Sequence, residues 1–320
     1  MINFLYCFDE NYNFQAFSSI ISLLDNVSEK INIFVIHKQY AQSSFFPDKI
    51  LKHNNLNFLE VYKFDKDITN YPNLFNAHVS EATYYRLFCS DYLPKLETVL
   101  YIDSDIICVD NPINHIKEEN KNLLNSEHVF SAKTEFLNQA EYREVFDRLE
   151  LKNNKYFNAG VMNINLSKWE VLDYDFTELF NNVGSRLIFW DQDLLNYLFD
   201  GKYCELNSIL NTVVDFSYYE FEKNPPSIND ITKDKSFIHF AGSHKPWSVN
   251  GIMVNLSEIY QREFRKISKN YFHITHKVRK YSLYVLYRNL VNLKFFKIKH
   301  RTRFVKEFIK SMLKINIKLR

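Results

Sequence analysis

Thr98-Val99-Leu100-Tyr101-Ile102 is an apolar, β-branched and aromatic run that stops abruptly at two carboxylates one residue apart, Asp103 and Asp105. Such a run reads as a buried β-strand. Its C-terminal end is where open α/β sheets place their ligand crevices. Two carboxylates that close repel each other in a desolvated cleft unless a cation lies between them. Hard divalent ions such as Mg²⁺ or Mn²⁺ suit the pair. An acidic turn at a strand end has the same spelling, so the reading depends on what accompanies it.

Strand-like and helix-like segments alternate around that strand. Ile2–Phe8, Ile31–Ile36, Leu56–Val61, Val129–Ala132 and Phe157–Ile164 read as strands. Asn13–Leu24 carries Phe14, Phe17, Ile20, Ile21 and Leu24 at helical spacing, Thr83–Leu93 is a helix stopped by Pro94, and Asp191–Phe199 is a third. The alternation predicts a mostly parallel sheet covered by helices on both faces. Neither G-x-G-x-x-G nor G-x-x-x-x-G-K-[ST] occurs, so a nucleotide's diphosphate would have to be held by metal and side chains.

Charge divides the chain. Residues 261–320 hold eighteen Lys and Arg against two acids, whereas the first 260 hold 22 basic and 36 acidic groups. This asymmetry predicts two regions with separate tasks, an acidic unit over 1–260 and a basic region over 261–320. Within that region Phe304, Val305, Phe308, Ile309, Met312 and Leu313 fall on one face of a helix over 303–318, opposite Lys306, Lys310, Lys314 and Lys318. A cationic amphipathic helix of this kind suits an anionic membrane surface, or else docks on the acidic unit. The N-terminus lacks the basic and apolar regions of a signal peptide, no run of eighteen apolar residues occurs, and the four cysteines have no C-x-x-C pair. We therefore expect a cytoplasmic protein, peripheral on the inner face of the plasma membrane.

Four further segments carry chemistry. Cys7-Phe8-Asp9-Glu10-Asn11-Tyr12 offers a carboxylate and a carboxamide to a base or ribose, or forms a turn and helix cap. Phe157-Asn158-Ala159-Gly160 places small residues at a tight point, by close ligand approach or by a bulge. Trp190-Asp191-Gln192-Asp193 opens a helix, with Asp191 as N-cap or as acceptor of a sugar hydroxyl. His239-Phe240-Ala241-Gly242-Ser243-His244-Lys245-Pro246-Trp247 combines an imidazole, a turn and a lysine.

Taken in order over residues 1–250, these motifs resemble those of glycosyltransferase family 8. The resemblance implies a GT-A fold, a single Rossmann-like domain with a mostly parallel mixed sheet, here followed by a basic helical tail. It implies a retaining, metal-dependent transfer of galactose or glucose from UDP-galactose or UDP-glucose to a lipopolysaccharide, lipooligosaccharide or other glycan. A protein or non-lipid glycan acceptor is the alternative. Asp103, Asp105 and His239 match the ligands of Mn²⁺ or Mg²⁺; His244 is off the register. Lys245 and the Gly242 backbone match the diphosphate contacts, Phe8, Asp9 and Asn11 the uridine contacts, and Ser104 a ribose contact. Arg86, Asn158, Ala159, Asp191 and Gln192 match donor-sugar contacts, and His78 an acceptor or sugar contact. Glu135 stands where relatives have Asp. The amide facing the anomeric carbon is matched by Gln192, which implies front-face attack by the acceptor hydroxyl.

Two other classes fit less of the chain. Nucleic-acid binding through the basic tail leaves the D-x-D and the H-x-x-G-x-x-K set unexplained. A haloacid dehalogenase-type D-x-D follows the first strand and has Thr or Val two residues on, where this chain has Ile107 after a later strand.

Overall fold

The computed structural model describes residues 1–72, 80–136, 138–219 and 226–313. The strands are β1 Asn3–Phe8, β2 Ile31–His37, β3 Leu56–Lys63, β4 Thr98–Ile102, β5 Ile106–Cys108, β6 Phe130–Thr134, β7 Phe157–Asn165, β8 Cys204–Glu205, β9 Thr212–Val213 and β10 Phe237–His239. Seven of them form one sheet in the order β3-β2-β1-β4-β7-β6-β8, and β5-β10-β9 form a second. Pairs on the β1 side are parallel, while β7 runs antiparallel to both β4 and β6. The expected mostly parallel mixed sheet, flanked by helices, is observed.

Both faces of the sheet are buried at its central strands, which is why β1, β2 and β4 are written as nearly continuous apolar runs. Along β1, Phe4, Tyr6 and Phe8 enter one core, with Leu5 and Cys7 in the other. Helix α1, Asn13–Asn26, fills the first core with Phe17, Ile20, Ile21 and Leu24. Residues Glu81–Phe88 form a 3-10 helix rather than the α-helix expected there, with an α-turn at Cys89–Tyr92. The tighter winding accompanies an inward Arg86, whose Nε bonds back to the Thr83 carbonyl at 3.2 Å. Helix α2, Trp190–Phe199, matches expectation, and β10 ends on His239.

At the C-terminal side, α3, Ser257–Ile267, straddles residue 260 and packs Ile259, Tyr260, Phe264 and Ile267 into the first core. Then follow α4, Arg279–Val291, and α5, Arg301–Met312. The apolar face anticipated for the last helix is divided. Phe304 and Phe308 are buried in a small core with Phe272, Ile274 and Val285, whereas Val305, Ile309 and Leu313 are exposed. Lys314 and Lys318 lie outside the described residues. Among the described residues no helix is long and apolar enough to cross a membrane.

Candidate active site and metal centre

The carboxylate pair sits where the two sheets meet. Asp103 N–H donates to the Gly160 carbonyl at 2.8 Å, fixing the end of β4 against β7. A tight turn follows, closed by Ile106 N–H to the Asp103 carbonyl at 3.2 Å, and the chain enters β5. There β10 pairs antiparallel with His239 opposite Ile106, and Phe240 N–H donates to the Asp105 carbonyl at 3.1 Å. A three-residue strand thus carries an imidazole to a carboxylate 134 positions away. Nε2 of His239 lies 3.3 Å from Oδ1 of Asp105, and one ligand atom each from Asp103, Asp105 and His239 fall within 4.8 Å of one another. Two hard oxygens and one imidazole nitrogen suit a divalent cation. Oδ1 of Asp105 and Oγ of Ser104 are buried without a hydrogen-bond partner, so the site holds polar atoms that a ligand would satisfy.

Protein cations face both carboxylates. Lys245 Nζ is 2.6 Å from Asp105 Oδ2 and 2.7 Å from the Phe240 carbonyl. Arg86, fully enclosed, places Nη2 3.2 Å from Asp103 Oδ1 and Nε 2.8 Å from Asp191 Oδ2. It also bonds the Ala159 carbonyl and lies over the Tyr101 ring, 4.2 Å from its centroid. Tyr101 donates its hydroxyl to Asp103, and Thr83 donates to Asp191. Burial opposes ionisation of Asp105, yet the Lys245 ammonium holds its carboxyl below the ordinary range. Burial raises Asp103, helped by Asp105 and opposed by Arg86. It also pushes Asp191 up to about 6, against Arg86 and Thr83.

The other wall is built from amides. Gln192 accepts Ala159 N–H at 3.0 Å and donates to the Tyr156 hydroxyl at 3.1 Å. Asn158 donates to Glu135 at 2.6 Å, and burial raises the carboxyl of Glu135 against that bond. Trp190, which opens α2, has φ +46°, a conformation that side chains other than glycine adopt at a cost of about 1–3 kcal/mol and that clusters at functional sites. Asp191 does not cap α2: its carboxylate faces Thr83 and Arg86. Asp193 ties down the preceding loop, accepting Ile188 and Phe189 N–H at 2.7 and 2.8 Å and pairing with Arg148.

These groups surround a cavity of about 260 Å³. Phe8, Arg86, Asp103, Ser104, Asp105, Asn158, Ala159, Asp191, Gln192, His239, Gly242 and Lys245 all line it, together with Glu135. Asp9 and Asn11 stand apart from the lining, where the Asp9 carboxylate accepts Asn11 N–H at 2.9 Å and caps a short 3-10 turn. His78 lies outside the described residues. Gly242 has φ +74°, and a Cβ there would sit 2.4 Å from the Asp215 carboxylate. A Cβ on Gly160 would lie 2.3 Å from His239 Cε1, so this glycine admits the imidazole. Tyr12, Thr83, Tyr101, Phe189 and Trp190 also line the cavity and were not anticipated. For Tyr101 a signal existed: two residues before Asp103 on a strand, it shares that residue's face.

Comparison with known proteins bears on this arrangement. The profile of the family described as Glycosyl transferase family 8 matches residues 3–251. The chain is 29% identical to an Escherichia coli lipopolysaccharide 1,2-glucosyltransferase over 262 residues, 75% of this chain and 71% of that protein. It is 27% identical to the lipopolysaccharide 1,3-galactosyltransferase of Salmonella typhimurium over 252 residues, 77% and 72% of the two chains. In three dimensions it resembles galactosyltransferase LgtC, solved with donor and acceptor sugar analogs. The TM-score is 0.64 at 20% identity, over 83% of this chain and 96% of that one.

Proposed function

The chain belongs to glycosyl transferase family 8, and from that premise we propose a retaining transfer of galactose or glucose from a UDP-sugar to a lipopolysaccharide glycan. The observation that carries the reading is the convergence of Asp103, Asp105 and His239 within 4.8 Å, with Lys245 beside them. The acceptor class follows the names of the lipopolysaccharide-modifying relatives.

The departing nucleoside diphosphate gathers negative charge on its β-phosphate oxygens. Asp103, Asp105 and His239 would hold Mn²⁺ or Mg²⁺, which when bound supplies Lewis-acid stabilisation of that charge. Lys245 leaves Asp105 for the diphosphate, adding a cation in a water-poor cleft, while the Gly242 backbone approaches the phosphates. Together these groups supply roughly 5–8 kcal/mol, on the scale of about 3 kcal/mol per preorganised contact. Phe8 borders the uridine and Ser104 the ribose; Asp9 and Asn11 are assigned to the uridine and His78 to the acceptor by the family match alone. Arg86 and Asp191 orient the sugar, and Asn158 and Ala159 line its far side. The Gln192 side chain faces the anomeric carbon as an amide, which is a poor nucleophile, so the acceptor hydroxyl attacks from the leaving-group face and the departing phosphate takes its proton.

In this proposal residues 1–260 are the catalytic domain and 261–320 the membrane-associated region, whose lipid-facing part begins beyond α3 because Phe264 and Ile267 pack into the catalytic core. Tyr281, Tyr284, Tyr287, Val305 and Ile309 are exposed among Lys and Arg, and each such cation near an anionic surface contributes about 1 kcal/mol. The enzyme then works at the cytoplasmic face, beside a lipid-linked acceptor.

The deciding experiment is a screen of UDP-sugars for metal-dependent hydrolysis and for transfer to truncated lipopolysaccharide. We expect turnover of UDP-galactose or UDP-glucose that EDTA abolishes and Mn²⁺ restores. No UDP-sugar turned over under any metal overturns the reading.

A further inference from the structure

Behind the site runs a buried chain of amides whose direction is set at one end by the backbone. Gly160 N–H, which can only donate, gives its hydrogen to Asn158 Oδ1 at 3.0 Å. That assigns Oδ1 as the acceptor and leaves the Asn158 amide nitrogen to donate to Glu135 at 2.6 Å. The same Oδ1 takes a second hydrogen bond, from Asn211 Nδ2 at 2.9 Å. The Asn211 oxygen then points the other way, 3.1 Å from Nδ1 of His239. Asn211 is completely buried, and its backbone carbonyl, not the side-chain oxygen, accepts from Lys133 Nζ at 2.9 Å.

A carboxamide oxygen cannot donate, so Nδ1 of His239 must carry the proton. Nε2, the nitrogen that faces Asp105 at 3.3 Å, is then a bare lone pair in the neutral ring. We propose that Asn211 is a positioning residue: it imposes the Nδ1–H tautomer on His239, aims Nε2 into the Asp103–Asp105 site, and through Asn158 ties that ligand to Glu135 in the cavity wall. The proposal rests on the metal reading above for its purpose, but the tautomer belongs to this chain alone. An outer partner of this kind raises ligand basicity and fixes ring orientation, and its loss typically costs 10- to 100-fold in metal affinity. The hydrogen-bonded line also gives the sugar pocket and the metal site a common rigid support. Rotating either amide would set two like groups against each other.

Three proteins decide it: the wild-type chain, Asn211→Leu and Asn211→Asp. Long-range proton–nitrogen NMR on histidine-labelled wild type, with the ring neutral and without metal, should show His239 protonated at Nδ1. Electron paramagnetic resonance of Mn²⁺ with UDP present should show folded Asn211→Leu binding 10- to 100-fold more weakly. Asn211→Asp keeps the acceptor for Nδ1–H and should bind Mn²⁺ within about threefold of wild type. Its lost donor to Asn158 should instead lower kcat, separating the two ends of the chain. A wild-type His239 protonated at Nε2 overturns the inference, as does a folded Asn211→Leu with wild-type Mn²⁺ affinity. If Asn211→Leu does not fold, Mn²⁺ loss in Asn211→Asp to the level of a His239→Ala control overturns it as well. Should the wild-type chain itself bind no Mn²⁺, the metal reading falls while the tautomer measurement still judges Asn211.

Discussion

Lys245 Nζ lies 2.6 Å from Asp105 Oδ2, which makes a lysine the counter-ion of a carboxylate that also faces His239. The cation and the lysine compete for one oxygen-bearing group, and the lysine's alternative partner is the diphosphate. Metal and nucleotide should therefore bind with positive coupling. For Lys245→Gln we expect UDP affinity at least tenfold weaker, with Mn²⁺ binding more tightly than in wild type when no nucleotide is present. Paired titration calorimetry, metal alone and metal with UDP, checks both directions.

Asp105→Asn removes a metal-ligand oxygen and the partner of Lys245 together. Loss of one preorganised electrostatic contact costs about 3 kcal/mol, roughly two decades in rate. Turnover should fall at least a hundredfold and respond little to added Mn²⁺, measured as UDP release at saturating donor.

Gln192→Ala removes one amide that bonds Ala159 N–H and the Tyr156 hydroxyl. A neutral hydrogen bond contributes about 0.5–1.5 kcal/mol, hence a roughly 3- to 10-fold slower enzyme with the anomer retained. Collapse to the level of Asp105→Asn, together with a glycosyl adduct trapped on wild type, would instead make this side chain the nucleophile.

Arg86→Lys keeps the charge but not the fork that reaches Asp103, Asp191 and Ala159 at once. Leaving a buried carboxylate without its partner costs about 3–5 kcal/mol. A fall in melting temperature of several degrees and loss of transfer are expected together in calorimetry and assay.

His273 is enclosed between Tyr260, Phe264 and Trp247, and burial depresses its pKa to about 3. Below its ordinary value of 6.5 the unfolded chain takes up a proton that the folded protein refuses. Stability is therefore full above pH 6.5 and declines as pH falls toward 3, approaching about 1.4 kcal/mol per pH unit. Melting temperatures from pH 7.5 to 5 should drop less steeply in His273→Phe than in wild type.

What the sequence disclosed follows the range of its interactions. The strand Thr98–Ile102 and the carboxylates after it were legible because burial on both faces and the turn are local properties. Arg86 was legible only through resemblance, since its partners Asp103 and Asp191 are remote and its 3-10 segment has no simple period. Asp9 and Asp191 had the same two readings, cap or ligand. The Asp9 carboxylate caps a 3-10 turn, while Thr83, 108 residues from Asp191, draws the Asp191 carboxylate into the cleft. Asn211 carried no sign at all, because its meaning lies in an orientation passed on from the backbone of Gly160.

The Glu307 carboxylate on α5 accepts the backbone N–H groups of Tyr271 and Phe272 at 2.8 and 2.6 Å, between the buried rings of Phe304 and Phe308. Deleting the basic stretch to ask whether it holds the enzyme on lipid would thus also unclasp the segment after α3 and bare an aromatic seam, producing insolubility that mimics a missing anchor. Charge reversal at the outward lysines, with that clasp intact, asks the question cleanly.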